Sequence, residues 1–309
     1  MTQLMPSSAA VQIPDPLLRT EIESRIQNCA RLPSLRSIDS ALRELLNADH
    51  SFISQISEVI GRDPSLTARL LRLVNSVYFS LGSTVNSIDE AVFYLGVRKI
   101  RQLALATPII DDFSKLAGKA NLFPWRKFWQ HCIATAILAR ELSSTVDGDG
   151  DEADYVCGLV HDVGKIVMAS VFSEHFAEVN LRVQAGETDR RKVELAVLGL
   201  DHCEVGAIYL QQHKLPTQMV EAARFHHDPE QAANHPKVVA AVHIANSLAR
   251  SSSTGNSGHP LMPGEVAWTE LEAWNILLPG DPERLERNQA IKAMQRALGR
   301  LPGIVEGLV

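Results

Sequence analysis

Apolar residues recur at helical spacing along most of the chain, and no run alternates apolar and polar residues between turn signals as a half-buried strand does. In the segment DPSLTARLLRLVNSVYF, one apolar stripe follows a single helix face and consists of Leu66, Leu70, Leu73, Val74 and Val77. Asp63 suits the N-cap of this helix, and Pro64 suits its first position, where a missing N–H does no harm. The pattern predicts an all-α fold.

Capping signals and composition mark where helices begin and end. Ser87 and Glu90 form an S-x-x-E pattern, which predicts a capping box at the start of another helix. Stretches rich in Gly, Ser and Asp predict loops. The predicted division is a loose tail (1–12), an N-terminal helical subdomain (13–118), a histidine-bearing core (119–250) interrupted by an acidic loop (143–152), a linker (251–264) and a packed helical extension (265–309). The extension places these residues near helical spacing: Trp268, Leu271, Trp274 and Leu278.

The acidic loop has the beginning of a calcium-binding pattern. Asp147, Asp149 and Asp151 fall at positions 1, 3 and 5 of an EF-hand register. The glycine needed at position 6 is Glu152, and the bidentate glutamate needed at position 12 is Gly158. The sequence therefore predicts a helix-entry loop, whose negative charge suits the N-terminus of the next helix.

Composition and charge exclude several classes of protein. The chain of 309 residues is 45% hydrophobic and 21% charged, as ordinary soluble proteins are, and its formal net charge is −6. With a pI near 6.0 and no nucleic-acid-binding motif, we expect no binding to nucleic acid or to a membrane surface. No run of about eighteen apolar residues predicts a membrane span, and the N-terminus lacks a signal-peptide pattern. The four cysteines form no CxxC pair, which predicts a reducing, cytoplasmic location.

Histidines and one aspartate predict a metal site in the middle of the chain. His161 and Asp162 lie in the apolar segment GLVHDVGK, where a carboxylate must be paired, hydrogen-bonded or bound to metal. Lys165 could neutralise that carboxylate or a bound phosphate. The adjacent His226 and His227 lie at a predicted helix end, where they can serve the edge of one site or bridge two. Imidazole with carboxylate predicts one or two divalent transition-metal ions, of iron, manganese or zinc.

Three cysteines neighbour these histidines: Cys132, Cys157 and Cys203. A thiolate could ligate metal, but we expect the three to be small buried packing residues. His131, taken alone, is equally expected to be a structural histidine on a core-facing helix. For each of these four residues, ordinary packing in the core is an alternative to metal binding that the residue pattern by itself does not exclude.

Several ordered stretches resemble the HDOD family, the HD-related output domain of bacterial signalling. The resemblance runs from about residue 32 to 250 and is carried by LPSL, IGRDPSLTARLLRLVNSVYF, SIDEAVFYLGVRKIRQLAL, FWQHCIATAILARELS, GLVHDVGK, LGLDHCEVGAIYLQQHKLP and FHHDP. It implies an HD-like helical core preceded by a helical subdomain. The wider HD superfamily holds metal for phosphoester hydrolysis with His, His-Asp and a later Asp. The metal ligands that the resemblance implies here are His131, His161, Asp162, His202, His226, His227 and Asn246.

Two departures from that superfamily pattern bear on catalysis. The position of the later Asp reads HIAN and gives Asn246, whose amide adds no negative charge and cannot act as a base. Relatives of the HD-GYP type add a lysine and further histidines, which Lys165, His202, His226 and His227 match. The GYP signature itself is absent, because DPEQAANHP follows His227. We therefore do not expect a cyclic-di-GMP phosphodiesterase.

Two functions stay open from the sequence. The favoured one is a regulatory HDOD protein without enzymatic activity, which binds a signalling protein through its N-terminal helices and core and can bind a nucleotide near the histidines. The other is a metal-dependent phosphohydrolase acting on a nucleotide or another phosphoester. In that second reading, Asp162 and Lys165 carry the chemistry.

Overall fold

The computed structural model describes residues 14–28, 84–96, 123–147, 152–252, 267–280 and 285–306, together with single residues or pairs between 57 and 75 and at 100, 257 and 258. All regular structure in these residues is helical, and none of them lies in a strand. The all-α prediction is therefore confirmed for the described part of the chain.

Long and short helices alternate with tight turns. The helices are α1 (Arg19–Gln27), α2 (Trp125–Asp147), α3 (Glu152–Val160), α4 (Val163–Val171), α5 (Ser173–Gln184), α6 (Arg190–Leu198), α7 (His202–Gln212), α8 (Thr217–Phe225), α9 (Pro236–Ser251), α10 (Ala273–Leu277) and α11 (Leu285–Glu306). Single 3-10 turns lie at Pro229–Gln231 and Trp268–Glu270, and residues 88–96 are helical as well. Helix α2 packs against α3, α9 and α11, and α7 packs against α4 and α8.

The corner between α6 and α7 is built by three local signals. Asp189 caps α6 by accepting a hydrogen bond from the backbone N–H of Lys192. Gly199 ends that helix in the left-handed conformation with φ of 99°, which a residue with a side chain rarely adopts. Asp201 then caps α7 through the N–H of Glu204. The turn that these signals set brings Glu194 of α6 to the backbone N–H of His202 at the start of α7.

Some of the residues of the predicted N-terminal helices are among the described residues. Leu70 and Val74, two members of the predicted stripe, are helical and fully buried. The other three members, with the capping residues proposed at 63 and 64, lie outside the described residues. Ser87 Oγ accepts from the N–H of Glu90 at 3.1 Å, as a capping box requires, whereas Glu90 Oε2 accepts from the N–H of Asn86 at 2.9 Å instead of from Ser87.

The predicted acidic loop at 143–152 is wrong at its start. Helix α2 continues to Asp147, because Leu142 and Ser143 are buried and Val146 packs on the core, which extends the buried helix face past residue 143. Helix α3 begins at Glu152, in keeping with a helix-entry segment. The division of the chain into subdomains stays a prediction.

The four residues that the sequence places near helical spacing after the linker do not lie on one continuous helix. Trp268 begins a 3-10 turn, and Trp274 lies in the short helix α10, fully buried, with its indole N–H donating to the carbonyl of Trp268 at 2.9 Å. Leu271 and Leu278 lie outside both elements and pack against the core. Helix α10 packs on α9, and α11 packs on α2, so both elements add to the central helices.

Helix length and hydropathy bear on the membrane prediction. No single helix among the described residues is long and apolar enough to cross a membrane. Residues 154–171 and 173–184 meet the length and composition only as a pair, and the two parts are bent by 116°. Tyr155, Val156 and Leu159 in the first part are buried side chains of the core.

Candidate metal centre

The predicted site residues meet where α2, the α3–α4 turn, the start of α7 and the end of α8 come together. Each of six side chains belongs to a residue no more than 1% exposed: His131, His161, Asp162, Lys165, His202 and His226. His227, which follows α8, is half-buried. Their potential ligand atoms fall into two groups, each within 4.8 Å: His131 with His161 and Asp162, and His202 with Cys203, His226 and His227.

Backbone carbonyls fix the orientation of two histidine rings. Nδ1 of His161 lies 2.7 Å from the carbonyl oxygen of Gly158, and Nδ1 of His226 lies 3.0 Å from that of Ala223. A carbonyl oxygen only accepts hydrogen bonds, so Nδ1 must carry the proton in both rings. In its neutral form each ring would then present Nε2 as a bare lone pair, which is the form that a metal ligand needs.

The three Nε2 atoms converge on the carboxylate of Asp162. His202 Nε2 and His226 Nε2 lie 3.2 and 3.6 Å from Asp162 Oδ1, and His161 Nε2 lies 3.4 Å from Oδ2. Bond lengths of about 2.0–2.2 Å for zinc place two nitrogen or oxygen ligands of a tetrahedral ion about 3.4 Å apart. Within the described residues, His161 Nε2, His226 Nε2 and Asp162 Oδ1 make no hydrogen bond.

The Nε2 atoms of His161 and His226 and the Oδ1 atom of Asp162 would be satisfied by a proton or by a bound cation. A buried carboxylate oxygen and buried imidazole nitrogens without partners are costly unless they are protonated or bound to metal. The residues present therefore fit a divalent transition-metal ion, and this buried His/Asp group could hold one.

Two further predicted ligands are His131 and Asn246. The ring of His131 lies 5.4 Å from the ring of His161, and its Nδ1 makes no hydrogen bond among the described residues. Asn246 is buried on α9, which packs on α2 and α3, and its Oδ1 likewise makes no hydrogen bond there. Its place among the ligands stays a prediction.

Comparison with known proteins supplies the family. The family model of the HDOD domain matches residues 32–229. The chain belongs to the HDOD family. The resemblance inferred from the sequence is thereby confirmed, although the match ends before α9 and so does not include Asn246.

Solved structures share this HDOD fold. An HDOD domain protein of unknown function from Geobacter sulfurreducens is 23% identical, with a TM-score of 0.74, over 90% of this chain and 98% of that one. A Shewanella amazonensis SB2B protein, assigned provisionally as a phosphohydrolase, is 25% identical with a TM-score of 0.68, over 93% and 98%. A Marinobacter aquaeolei VT8 protein, assigned provisionally to signal transduction, is 19% identical with a TM-score of 0.67, over 93% and 65%.

A curated relative is considerably longer. An uncharacterized protein of Treponema pallidum (strain Nichols) is 26% identical over 253 residues, which are 80% of this chain and 47% of that protein. The HDOD chain therefore spans about half the length of the relative that it matches.

Lys165 places a positive charge inside the centre. Its Nζ donates to Asp162 Oδ2 at 2.6 Å and to the backbone carbonyl of Ser257 at 3.0 Å. The expectation that Lys165 can neutralise the carboxylate is confirmed by this ion pair. Ser257 is 1% exposed, although composition predicts a surface loop or linker around it, because its carbonyl is held against a buried lysine.

Glu194 and Arg190 belong to the site but were missed in the sequence. Glu194 Oε2 accepts from the backbone N–H of His202 at 2.9 Å and lies 2.6 Å from His202 Nδ1. Arg190 Nε donates to Glu194 Oε1 at 2.8 Å, and its two terminal nitrogens each lie 3.0 Å from Asn180 Oδ1. A carboxylate that orients a ligating histidine in this way holds its tautomer and raises its basicity.

A sequence signal for Glu194 does exist. Glu194 lies three residues before Val197 and four residues before Leu198. Both of these residues are buried, so Glu194 is on the apolar face of α6. A charged residue in an apolar stripe must find a partner, and Arg190 stands at the i−4 position.

The charges of the centre are set by burial and by neighbouring ions. Burial alone would raise the pKa of Asp162, but the Lys165 ammonium and the neighbouring imidazoles hold it well below its usual range. Burial alone would also raise the pKa of Glu194, but His202 and Arg190 lower it to about 2. Both carboxyl groups are therefore ionised at neutral pH.

Four histidines of the centre have shifted pKa values, and the shifts run in two directions. Burial lowers the pKa of three of them well below the ordinary value and so keeps them neutral: His131, His226 and His227. Burial opposes the charge of His202 too, but the Cys203 sulfur and the Glu194 carboxylate hold its pKa well above the ordinary value. Burial raises the pKa of Cys203, which is then a neutral thiol at pH 7, so we assign the effect on His202 to Glu194.

Proposed function

We propose that this HDOD protein is a regulatory protein of bacterial signal transduction, which binds a signalling partner in the cytoplasm. In this role the metal centre stabilises and shapes the core instead of hydrolysing a substrate. The likeness in fold to the Marinobacter protein assigned to signal transduction supports the proposal. Among the described residues, Cys132, Cys157 and Cys203 form no disulfide, which suits a reducing compartment.

Enclosure of the metal centre is the observation that carries the proposal. A phosphoester has to reach the metal, yet Asp162 and the three histidines whose Nε2 atoms face it are at most 1% exposed, and His227 beside them is half-buried. Lys165 is fully buried, and it directs hydrogen bonds to Asp162 and to the carbonyl of Ser257. A closed, internally neutralised centre of this kind suits a structural role.

Exposed aromatic side chains support a partner surface on the predicted N-terminal subdomain. Phe93 is 77% exposed and Tyr94 is 48% exposed, and their rings stand edge to face with centroids 5.5 Å apart. Aromatic residues are enriched at protein interfaces, where their large surfaces supply binding energy. We assign this pair to the surface that meets the signalling protein, and a nucleotide near the histidines remains part of the proposal as a second ligand.

The proposed absence of phosphoester hydrolysis is tested with metal-loaded protein and a broad panel of nucleotides, cyclic dinucleotides and a chromogenic diester. We expect no turnover above that of the Asp162→Ala variant. Turnover that the variant lacks, with its fold intact by circular dichroism, would overturn the non-catalytic assignment.

The partner surface is tested in the full chain with a photo-crosslinking amino acid in cells of the source organism. We expect one specific adduct from position 93. Position 181 serves as the control, because Leu181 is also exposed, at 44%, but lies on α5. Equal labelling from the two positions would show that the aromatic pair has no special role.

The second candidate is a metal-dependent phosphohydrolase, and the converging lone pairs around Asp162 favour it. A bound metal would polarise a phosphoryl oxygen and lower the pKa of water. His131 and His161 would hold the ion together with Asp162. Lys165 would stabilise charge that develops on the phosphoryl oxygens, once it is released from its present ion pair. The Shewanella protein assigned provisionally as a phosphohydrolase makes this reading worth the same assay.

A further inference from the structure

We propose that the thiolate of Cys203 is a metal ligand, at a second position formed with the histidines of its own group, His202, His226 and His227. This position adjoins the group that contains Asp162. The proposal rests on the metal centre in the proposed function, and it reverses the expectation that Cys203 merely fills space in the core.

The separation between Cys203 and His202 is the first argument. Cys203 Sγ lies 3.5 Å from His202 Nε2. Zinc bonds of about 2.3 Å to sulfur and about 2.0–2.1 Å to nitrogen place two tetrahedral ligands about 3.6 Å apart. The sulfur is thus at ligand separation from an imidazole whose other nitrogen is already held by Glu194.

The second argument is the state of the neighbouring donors. His226 Nε2 is buried and makes no hydrogen bond among the described residues, so it is an unused lone pair beside the sulfur. The four donor atoms of the group lie within 4.8 Å of one another, and the His226 and His227 rings have centroids 4.3 Å apart. The adjacent histidines after α8 thereby face one position together.

The chain contains its own comparison. Cys132 follows His131 directly, as Cys203 follows His202, and both cysteines are at most 2% exposed. Among the described residues, Cys132 belongs to neither ligand group. Adjacency to a histidine and burial are therefore shared by the two cysteines, whereas the convergence of donor atoms belongs to Cys203.

A thiolate ligand changes which metal the position selects. On binding, the Cys203 S–H bond is exchanged for a sulfur–metal bond, and the proton is released to solvent without any change of oxidation state. Thiolate with imidazole favours zinc over harder ions such as manganese or magnesium. We therefore assign this position to zinc, for which Co²⁺ is a coloured probe.

The test is a Co²⁺ titration of the full chain after its metal has been removed with a chelator. Wild type and Cys132→Ser are expected to develop a sulfur-to-cobalt charge-transfer band in the near ultraviolet. Cys203→Ser is expected to lose that band. Persistence of the band in Cys203→Ser, or its absence from wild type that has bound cobalt, would overturn the assignment.

A second measurement needs no variant, in case Cys203→Ser does not fold. Zinc-edge X-ray absorption of the wild-type protein is expected to show one sulfur scatterer at about 2.3 Å beside nitrogen and oxygen. A shell of nitrogen and oxygen alone would refute the Cys203 ligand and leave the rest of the metal centre standing. Failure of the protein to bind cobalt or zinc would refute both, while the partner surface keeps its own crosslinking test.

Discussion

Gly164 is the position where the fold and the metal centre depend on the same close contact. It lies in the first turn of α4, opposite the start of α7. A Cβ atom added there would stand 1.8 Å from the carbonyl oxygen of His202 and 2.8 Å from the backbone nitrogen of Gly206. Both atoms belong to backbone, so no side-chain rotation can relieve the clash. Gly164→Ala therefore has to push α4 and α7 apart.

The displacement can be estimated from these distances. Real Cβ contacts essentially never fall below 3.0 Å, so the 1.8 Å contact must open by at least about 1.2 Å. A shift of that size is several times the spread of the ligand separations, 3.2 to 3.6 Å, between Asp162 and the histidines. Overpacking costs about 3 kcal/mol at the upper end of its usual range, and better helix propensity offsets up to about 1 kcal/mol, which leaves about 2 kcal/mol.

The assay is urea unfolding of metal-free protein, followed by measurement of metal content after reloading. We expect Gly164→Ala to lose about 2 kcal/mol of unfolding free energy and most of its metal. The control is Gly299→Ala in α11, where a Cβ meets no atom within 4 Å, and there we expect a gain of about 0.5–1 kcal/mol. A Gly164→Ala protein with wild-type stability and full metal content would refute the close-approach argument.

Three further predictions follow from the same contacts. Glu194→Gln should weaken zinc affinity roughly 10- to 100-fold in chelator competition, because the candidate ligand His202 loses its carboxylate partner. The control Glu187→Gln, at an exposed position, should leave the zinc affinity unchanged. Removing the metal should lower thermal stability by about 2.7 kcal/mol for an ion present at 100 times its Kd, and an unchanged melting curve would argue against a folded-state site. Burial opposes ionisation of Glu221, but hydrogen bonds from Asn234 and the N–H of His235 hold its pKa below the ordinary value. Its stabilising effect should therefore be complete at pH 7 and be lost as the pH falls through the lowered pKa, so that Glu221→Gln is less stable than wild type at pH 7 and the difference shrinks as the protein is acidified.

Local signals were the reliable part of the sequence. The S-x-x-E pattern at Ser87 and Glu90 predicted a cap because the hydrogen bonds lie within one turn. The one difference is that the Glu90 carboxylate accepts from the N–H of Asn86 instead of from that of Ser87. The apolar stripe predicted buried positions such as Leu70 because the period of the helix places these residues on one face. The loop beginning at residue 143 was misjudged because composition resembles a loop there, whereas the buried face of α2 continues to Val146.

The site divides in the same way. Histidines and the aspartate could be found because residue type carries their chemistry, whatever the fold. Glu194 could not be assigned to His202, since they meet only through the sharp corner at Gly199. The contact of Ser257 with Lys165 spans 92 positions, and a segment of polar and small residues gives no sign that its carbonyl is buried. Long-range packing, which the linear pattern does not encode, supplies these parts.

The most direct test of the metal centre is elemental mass spectrometry of untagged protein purified without chelators, beside a His161→Ala/Asp162→Ala double variant. The donor atoms around Asp162 predict one or two equivalents of a divalent transition metal in the wild type and at least one fewer in the folded variant, which keeps only the ligand group of Cys203. Wild-type protein that is folded and metal-free would contradict the account, and the histidines would then be residues of the core alone.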